Sequence, residues 1–244
     1  TTSFQIHLQV PQRAAARYYN AAVVVSAPMV AISANSPFLF GKDLWDETRI
    51  PLFEQSVELG GNEEQGQGPR QRVTFGTGYV QESLEEVFGE NCLHYPVLLP
   101  IELDRDPGRL SHLRLHNGTI WRWNRPLVGF GAAGRPHLRI EHRVVPSGPS
   151  AMDEIANAAF FFGLSEFLAN RAAPPERELD FTQARANFYA AACRGLDASV
   201  VWLDGRGVSV RNLVLEELLP MARRGLEMLD IDWADIQRYL GIIE

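Results

Sequence analysis

The chain has 244 residues, of which 45% are hydrophobic and 22% are charged, and its formal net charge is −7 at pH 7. This composition is that of an ordinary globular protein and excludes a wholly disordered chain. An acidic chain argues against nucleic-acid binding, although local arginines can still bind a small anion. No apolar run reaches the roughly 20 residues of a membrane span, and we expect no signal peptide. The two cysteines, Cys92 and Cys193, form no spacing motif, which fits a reducing compartment and a cytoplasmic protein.

Residues 4–10 alternate between apolar and polar side chains, which is the pattern of a half-buried β-strand. The polar positions Gln5, His7 and Gln9 share one face of that strand, and such a face can border a cleft. A lone histidine on a strand is more often part of a hydrogen-bonded structure than a metal ligand. Chains seldom begin inside a core strand, so we expect a fragment whose N-terminal partner segment is missing.

The middle of the chain gives weaker local signals. Residues 13–34 predict a mostly buried helix. Residues 41–75 are expected to be loop-like, with a mobile, polar and glycine-rich run over 62–72. A short helix is predicted over 81–88 and a strand over 97–103.

The remaining elements follow in the order strands first, helices last. Two strands are predicted over 119–125 and 138–145, and their spacing suits antiparallel neighbours. Helical periodicity follows in four segments: 151–171, 181–195, 211–228 and a short helix through 236–240 capped by Asp232. This order favours an α+β fold over alternating βαβ winding. We expect a single domain, strand-rich over 1–150 and helical over 151–244.

Charged residues at alternate positions of the second strand form a candidate site. Arg139, Glu141 and Arg143 share one face, while the opposite face is apolar. A carboxylate between two arginines is costly to desolvate, so we expect it to face solvent or a ligand. Two interpretations stay open: a surface ion-pair row, or a carboxylate that binds Mg²⁺ beside an arginine that binds phosphate oxygens.

The segment 116–126 supplies a second strand that ends at Arg125, just before Pro126. Its tryptophans, Trp121 and Trp123, are most often core or interface residues, whereas an arginine at a strand end is more typical of a site. The motifs of zinc proteases, P-loop nucleotide-binding proteins and serine hydrolases do not occur, so these three classes lose support.

Four segments, in order, resemble the glutamate–cysteine ligase family, including its bacterial carboxylate–amine ligase and plant-type branches. Residues 2–8 resemble the strand that supplies a His-x-His or Gln-x-Asn pair, and 116–126 the strand that ends in Arg-Pro or Arg-Leu. Residues 138–146 resemble the Glu-x-Arg strand. The most specific match is Ala-Asn-Ser-Pro-Phe within 31–38. Weaker similarity continues over 187–198, so the resemblance spans nearly the whole chain.

The resemblance implies a glutamine-synthetase-like fold, in which an antiparallel sheet forms a cleft backed by helices. Here that fold would be incomplete at the N-terminus, so the chain would be a single partial catalytic domain. The implied enzyme is an ATP-dependent ligase that converts the glutamate γ-carboxylate into an acyl phosphate, from which an amine such as cysteine displaces phosphate. ATP and Mg²⁺ are the implied cofactors. The implied partners are a glutamate-like carboxylate and an amine, and homo-oligomerisation is left open.

The resemblance also implies roles for individual residues. The metal ligands would be Glu141, Gln5 and His7, and the catalytic residues would be Arg143 and Arg125. Substrate and ATP would be bound by Arg125 together with Asn35, His116, Arg49 and Trp121.

Three departures from the family pattern limit these expectations. Gln5 stands where many bacterial members carry a metal-binding histidine, and an amide oxygen brings no charge to Mg²⁺. Ala190 stands where bacterial members often carry arginine, so the amine substrate stays open. The family's N-terminal Glu-x-Glu strand has no counterpart, and we expect the fragment alone to be inactive. The alternatives are a non-catalytic binding domain on the same fold, or another ATP-dependent phosphoryl transferase.

Overall fold

In the computed structural model, the described residues 2–59 and 70–244 form a mixed α+β structure, as predicted. The predicted mobile run over 62–72 lies outside the described residues as far as position 69. The helices of the described part are α1 (Ala15–Ser33), α2 (Arg49–Ser56), α3 (Glu85–His94), α4 (Ser111–Gly118), α5 (Ala151–Ala169), α6 (Phe181–Arg194), α7 (Val210–Leu213), α8 (Leu219–Met228) and α9 (Trp233–Ile243). Its strands are β1 (Ile6–Val10), β2 (Phe38–Leu39), β3 (Lys42–Asp43), β4 (Glu58–Leu59), β5 (Arg70–Gln71), β6 (Val73–Thr74), β7 (Trp121–Arg122), β8 (Asn124–Phe130), β9 (Pro136–His142), β10 (Ser199–Val201) and β11 (Gly207–Ser209).

An antiparallel sheet in the order β1-β9-β8 contains the predicted strands 4–10 and 138–145. The predicted strand 119–125 is wrong in its bounds, because β7 pairs in parallel with β6 and a new strand, β8, starts at Asn124. Strand β8 tolerates Pro126, which lacks a backbone N–H, because β8 is an edge strand of this sheet.

The predicted helix over 13–34 is confirmed as α1, which packs against the sheet and against α5 and α6. Nearly every face of α1 is buried, which fits a helix with apolar residues all round. The buried amide of Asn20 bonds to both backbone groups of Val80, at 2.8 and 2.9 Å. One continuous apolar core therefore extends from β1 through α1 to α9.

Between α1 and β8 the predictions fail more often. The expected loop over 41–75 contains α2 and several short strands, and the helix predicted over 81–88 lies instead at Glu85–His94. The strand predicted over 97–103 is irregular, because Pro100 interrupts its apolar run and cannot donate a ladder hydrogen bond. Helix α4 was not predicted, because its sequence was assigned in part to the following strand.

The predicted C-terminal helices are confirmed as α5, α6, the α7–α8 region and α9. The segment 211–228 is helical, with a π-helical stretch at Val214–Leu218. Asp232 caps α9 by accepting a hydrogen bond from the backbone N–H of Ala234 at 2.8 Å. Within residues 2–59 and 70–244, no helix is both long and apolar enough to cross a bilayer.

Candidate active site

A row of polar side chains crosses the three strands of the central sheet. The register places His7 of β1 and Arg125 of β8 on either side of Glu141 of β9. These three residues form the glutamate row. The Glu141 Oε2 atom accepts hydrogen bonds from Arg125 Nε at 2.7 Å and from Arg143 Nη1 at 3.1 Å. With its amide nitrogen turned toward Glu141, Gln5 donates to Oε1 at 2.9 Å and accepts from Arg143 at 3.3 Å. Four of the predicted site residues therefore surround the carboxylate of a fifth, Glu141.

Glu141 is buried, with a relative exposure of 3%. The interpretation as a solvent-exposed ion-pair row is therefore wrong, because the surrounding side chains cover the carboxylate. Burial by itself would raise the pKa of Glu141, but the hydrogen bonds and charges of Arg125 and Arg143 outweigh burial and lower that pKa. Glu141 is thus an ionised, buried carboxylate at neutral pH.

His7 lies at the open edge of the glutamate row, with about a third of its side chain exposed (34%). Its Nε2 atom is 3.6 Å from Glu141 Oε1, which is too long for a hydrogen bond. Burial and the charges of Arg139, Arg125 and Arg143 lower the pKa of His7, against the opposing attraction of Glu141. The imidazole is therefore neutral at pH 7, the form that can bind a metal ion or accept a proton.

Arg125 lies between the glutamate row and the end of helix α4. Its Nη1 atom points at the carbonyl oxygens of Asn117 and Gly118, both at 3.4 Å, and of Ile120 at 3.5 Å. The C-terminus of a helix carries partial negative charge, which favours a cation there. This contact fixes the Arg125 guanidinium while its Nε atom bonds to Glu141.

Arg49 and Asn35 occupy a second layer, joined by the fully buried carboxylate of Glu47. Arg49 Nε donates to Glu47 Oε1 at 2.8 Å, and its Nη2 atom donates to the carbonyl of Val144. The backbone N–H of Asn35 donates to Glu47 Oε2 at 3.1 Å, and its amide donates to the carbonyl of Ser147 at 2.8 Å. Both predicted ligand-binding residues thus contact the loop that follows β9, and neither contacts Glu141 directly.

The contacts of His116 and Trp121 are with residues other than Glu141. The His116 Nε2 atom is 3.0 Å from the carbonyl oxygen of Tyr95, and His116 lines a mainly apolar pocket of about 650 Å³. The Trp121 ring packs edge-on against Phe53, with centroids 6.5 Å apart. Phe53 also lies 5.9 Å from the Arg143 guanidinium, so Trp121 is connected to the site through this phenylalanine.

Helix α2 supplies site residues that the sequence reasoning missed. The Glu54 Oε1 atom accepts hydrogen bonds from Trp123 Nε1 at 2.9 Å and from the Tyr189 hydroxyl at 2.8 Å. Burial raises the pKa of Glu54, and these two hydrogen bonds only partly oppose the rise. Ile50 and Phe53, three positions apart, were the available signal, because apolar residues at this spacing are typical of an amphipathic helix.

The donors around Glu141 supply only part of the coordination that Mg²⁺ requires. The ion prefers six oxygen ligands in a near-octahedral arrangement. Here Glu141 offers one carboxylate, Gln5 one amide and His7 one imidazole. Among the residues that the structure describes, no group of three or more His, Cys, Asp or Glu side chains could hold a metal ion. These donors alone therefore do not fit a complete magnesium site.

Comparison with known proteins gives one family. The family model described as Glutamate-cysteine ligase family 2 (GCS2) matches residues 1–241. None of the curated proteins compared with the chain matches it. The family implies ATP-dependent ligase activity of the glutamate–cysteine ligase type. Because the match covers essentially the whole sequence, the chain belongs to glutamate-cysteine ligase family 2.

Proposed function

We propose that the protein containing this chain is an ATP-dependent carboxylate–amine ligase that forms a γ-glutamyl amide bond through an acyl phosphate. The observation that carries the proposal is the buried, ionised Glu141 with Arg125 and Arg143 on one face of the sheet. In this proposal, the face lines the glutamine-synthetase-like cleft that the resemblance to the family implies, and the reaction takes place there.

The arginines would stabilise the negative charge of the transferring phosphoryl group. Charge-stabilising donors are the main protein contribution to phosphoryl transfer. Arg143 Nη1 donates a hydrogen bond to Glu141, but Arg143 Nε is buried and has no hydrogen-bond partner in the described part of the chain. An unpaired buried donor is costly, so a phosphate or carboxylate oxygen is a suitable partner for it. Arg125 is fixed by α4 and would face the same ligand.

ATP and Mg²⁺ are the cofactors that this function requires. Glu141, with Gln5 and His7, would hold one side of a metal ion, which when bound neutralises polyphosphate charge. The remaining carboxylate ligands would come from residues outside those that the structure describes.

A non-catalytic binding domain is the second candidate function. The observation that favours it is that both oxygens of Glu141 already have protein partners, at 2.7 and 2.9 Å. A carboxylate that only pairs with arginines could retain the fold and bind an anion without turnover. This candidate predicts substrate binding with no release of ADP.

The test is ADP release by the intact protein with glutamate and a panel of amines that includes cysteine. We expect ADP release only when glutamate and a suitable amine are both present, because the amine must displace phosphate from the acyl phosphate. Phosphate release that never depends on an amine would indicate another phosphoryl transferase. Binding of glutamate and ATP without any ADP release would favour the non-catalytic domain.

A further inference from the structure

The polar face of the sheet continues beyond the glutamate row. Antiparallel pairing places Gln9 of β1 and Leu127 of β8 on either side of Arg139 of β9. These three residues form the arginine row. Because side chains alternate along a strand, Arg139 shares the face of Glu141, about 6.7 Å away along β9. The face therefore presents two adjacent rows, and only the first contains an acid.

The charge of Arg139 is not balanced within the described part of the chain. Arg139 is half-buried, forms no ion pair or hydrogen bond with a carboxylate there, and has a buried Nε atom without a hydrogen-bond partner. Other arginines of low exposure have partners for their guanidinium groups. Four of them pair with a glutamate: Arg49, Arg122, Arg125 and Arg143. Buried Arg72 instead donates to Thr119 and to the carbonyl of Pro96. A buried N–H donor without a partner is costly, and an oxygen atom of a ligand is a suitable acceptor for it.

The neighbours of Arg139 leave room for such a ligand. Gln9 is exposed on one side of the row, and Leu127 is half-buried on the other. Beyond the row, the His137 ring covers Gly129, where a Cβ atom would overlap the imidazole. In the other direction, the same face continues to His7 and Glu141. A ligand that reaches Arg139 would therefore also lie over the glutamate row.

We infer that the arginine row is an oxyanion-binding subsite for a ligand that spans both rows. A guanidinium fork with an adjacent amide matches a carboxylate or a phosphate, which share this chemistry. The identity of the ligand rests on the proposed function. A glutamate-like substrate carries a second carboxylate at a separation comparable to the row spacing, and the polyphosphate of ATP also extends over such a distance.

The test is calorimetric titration of the intact protein with two separate probes, glutamate and tripolyphosphate. Arg139→Gln should weaken binding of at least one probe about tenfold or more, because a charge-assisted hydrogen bond is lost. The matched control is Arg135→Gln, which removes the same charge from an exposed position in the β8–β9 connection and should leave both affinities within about twofold. Loss confined to glutamate identifies the carboxylate as the occupant, and loss confined to tripolyphosphate identifies the polyphosphate.

Unchanged affinity for both probes in folded Arg139→Gln protein would overturn the subsite, as would wild-type protein that binds neither probe. If Arg139→Gln does not fold, Arg139→Lys keeps the charge and removes the planar fork. This variant should show a smaller loss in the same probe, and unchanged affinities would again overturn the subsite. If binding depends on Arg139 but the protein shows no ligase turnover, the subsite is supported and the proposed function is contradicted.

Discussion

Charged side chains lie close together in the central sheet, whereas in the α5–α8 helix pair it is the two helix backbones that lie close together. In the sheet, Glu141 is buried because charged hydrogen bonds from Arg125 and Arg143 compensate its desolvation. In the helix pair, Gly163 and Gly225 bring two backbones into contact, with no room for a side chain. The sheet face thus keeps charged groups whose desolvation is costly, whereas the helix pair brings two backbones into direct contact. Substitutions of Glu141, Arg125 and Arg143 should therefore mainly affect ligand chemistry, and substitutions in the helix pair should mainly affect stability.

The largest effect on stability is expected at the helix pair. A Cβ atom at Gly225 would overlap the carbonyl oxygen of Gly163, and backbone cannot move aside as a flexible side chain can. Gly225→Ala should therefore lower the free energy of unfolding by about 3 kcal/mol or more, measured by urea unfolding. Gly241→Ala is the matched control, because a Cβ atom there meets nothing within 4 Å on helix α9.

The control should stabilise the protein slightly, by about 0.5–1 kcal/mol, because alanine is the better helix former. Equal effects of the two glycine substitutions would contradict the account of the α5–α8 contact. Loss of ligand binding in folded Gly225→Ala protein would likewise contradict the separation between the two regions.

A pH-dependent effect on stability is expected at His142, on the buried face of strand β9. Burial lowers the pKa of His142 from its ordinary 6.5 to about 3. As the pH falls from 6.5 toward 3, the unfolded chain takes up a proton at this site and the folded chain does not. The stability contributed by the neutral imidazole is thus present above pH 6.5 and is lost progressively below it. The expected slope is about 1.4 kcal/mol per pH unit in this window.

The measurement is urea unfolding at several pH values for wild type, His142→Gln and the exposed-site control His94→Gln. His142→Gln should be less stable at pH 7, because the stacking of His142 on Phe161 at 4.2 Å is lost. Its stability should fall less steeply on acidification than that of wild type or of the control. Parallel slopes for all three proteins would show that His142 does not remain neutral in the fold.

Much of the fold could be predicted where the local pattern was regular. Strand β1 and helices α1, α5 and α6 follow from alternation or from helical periodicity over long segments. Helix α2 is short, and the packing of Phe53 against Trp123 and Arg143 that stabilises it is not a local property. The apolar run at 97–103 resembled a strand, but no neighbouring strand pairs with it in the described part of the chain.

The candidate site, too, could be predicted only where its signal was local in the sequence. The alternation of Arg139, Glu141 and Arg143 was visible in the sequence, as was the strand end at Arg125. The register that places His7 opposite Glu141 joins two distant segments, and only the folded sheet fixes it. Burial of the carboxylate also depends on three strands together, so a surface ion-pair row could not be excluded from sequence.

As a proposed metal ligand, Glu141 should be required for turnover, in addition to joining the strands of the sheet through its hydrogen bonds. The most direct test of this requirement compares ADP release by intact wild-type protein, Glu141→Gln and the exposed control Glu227→Gln, with glutamate and the best amine. Glu141→Gln keeps the shape and an acceptor oxygen, so the protein should fold, while turnover should fall by about 100-fold or more. Glu227→Gln should match wild type. Turnover of folded Glu141→Gln near the wild-type rate would contradict the catalytic role of this carboxylate.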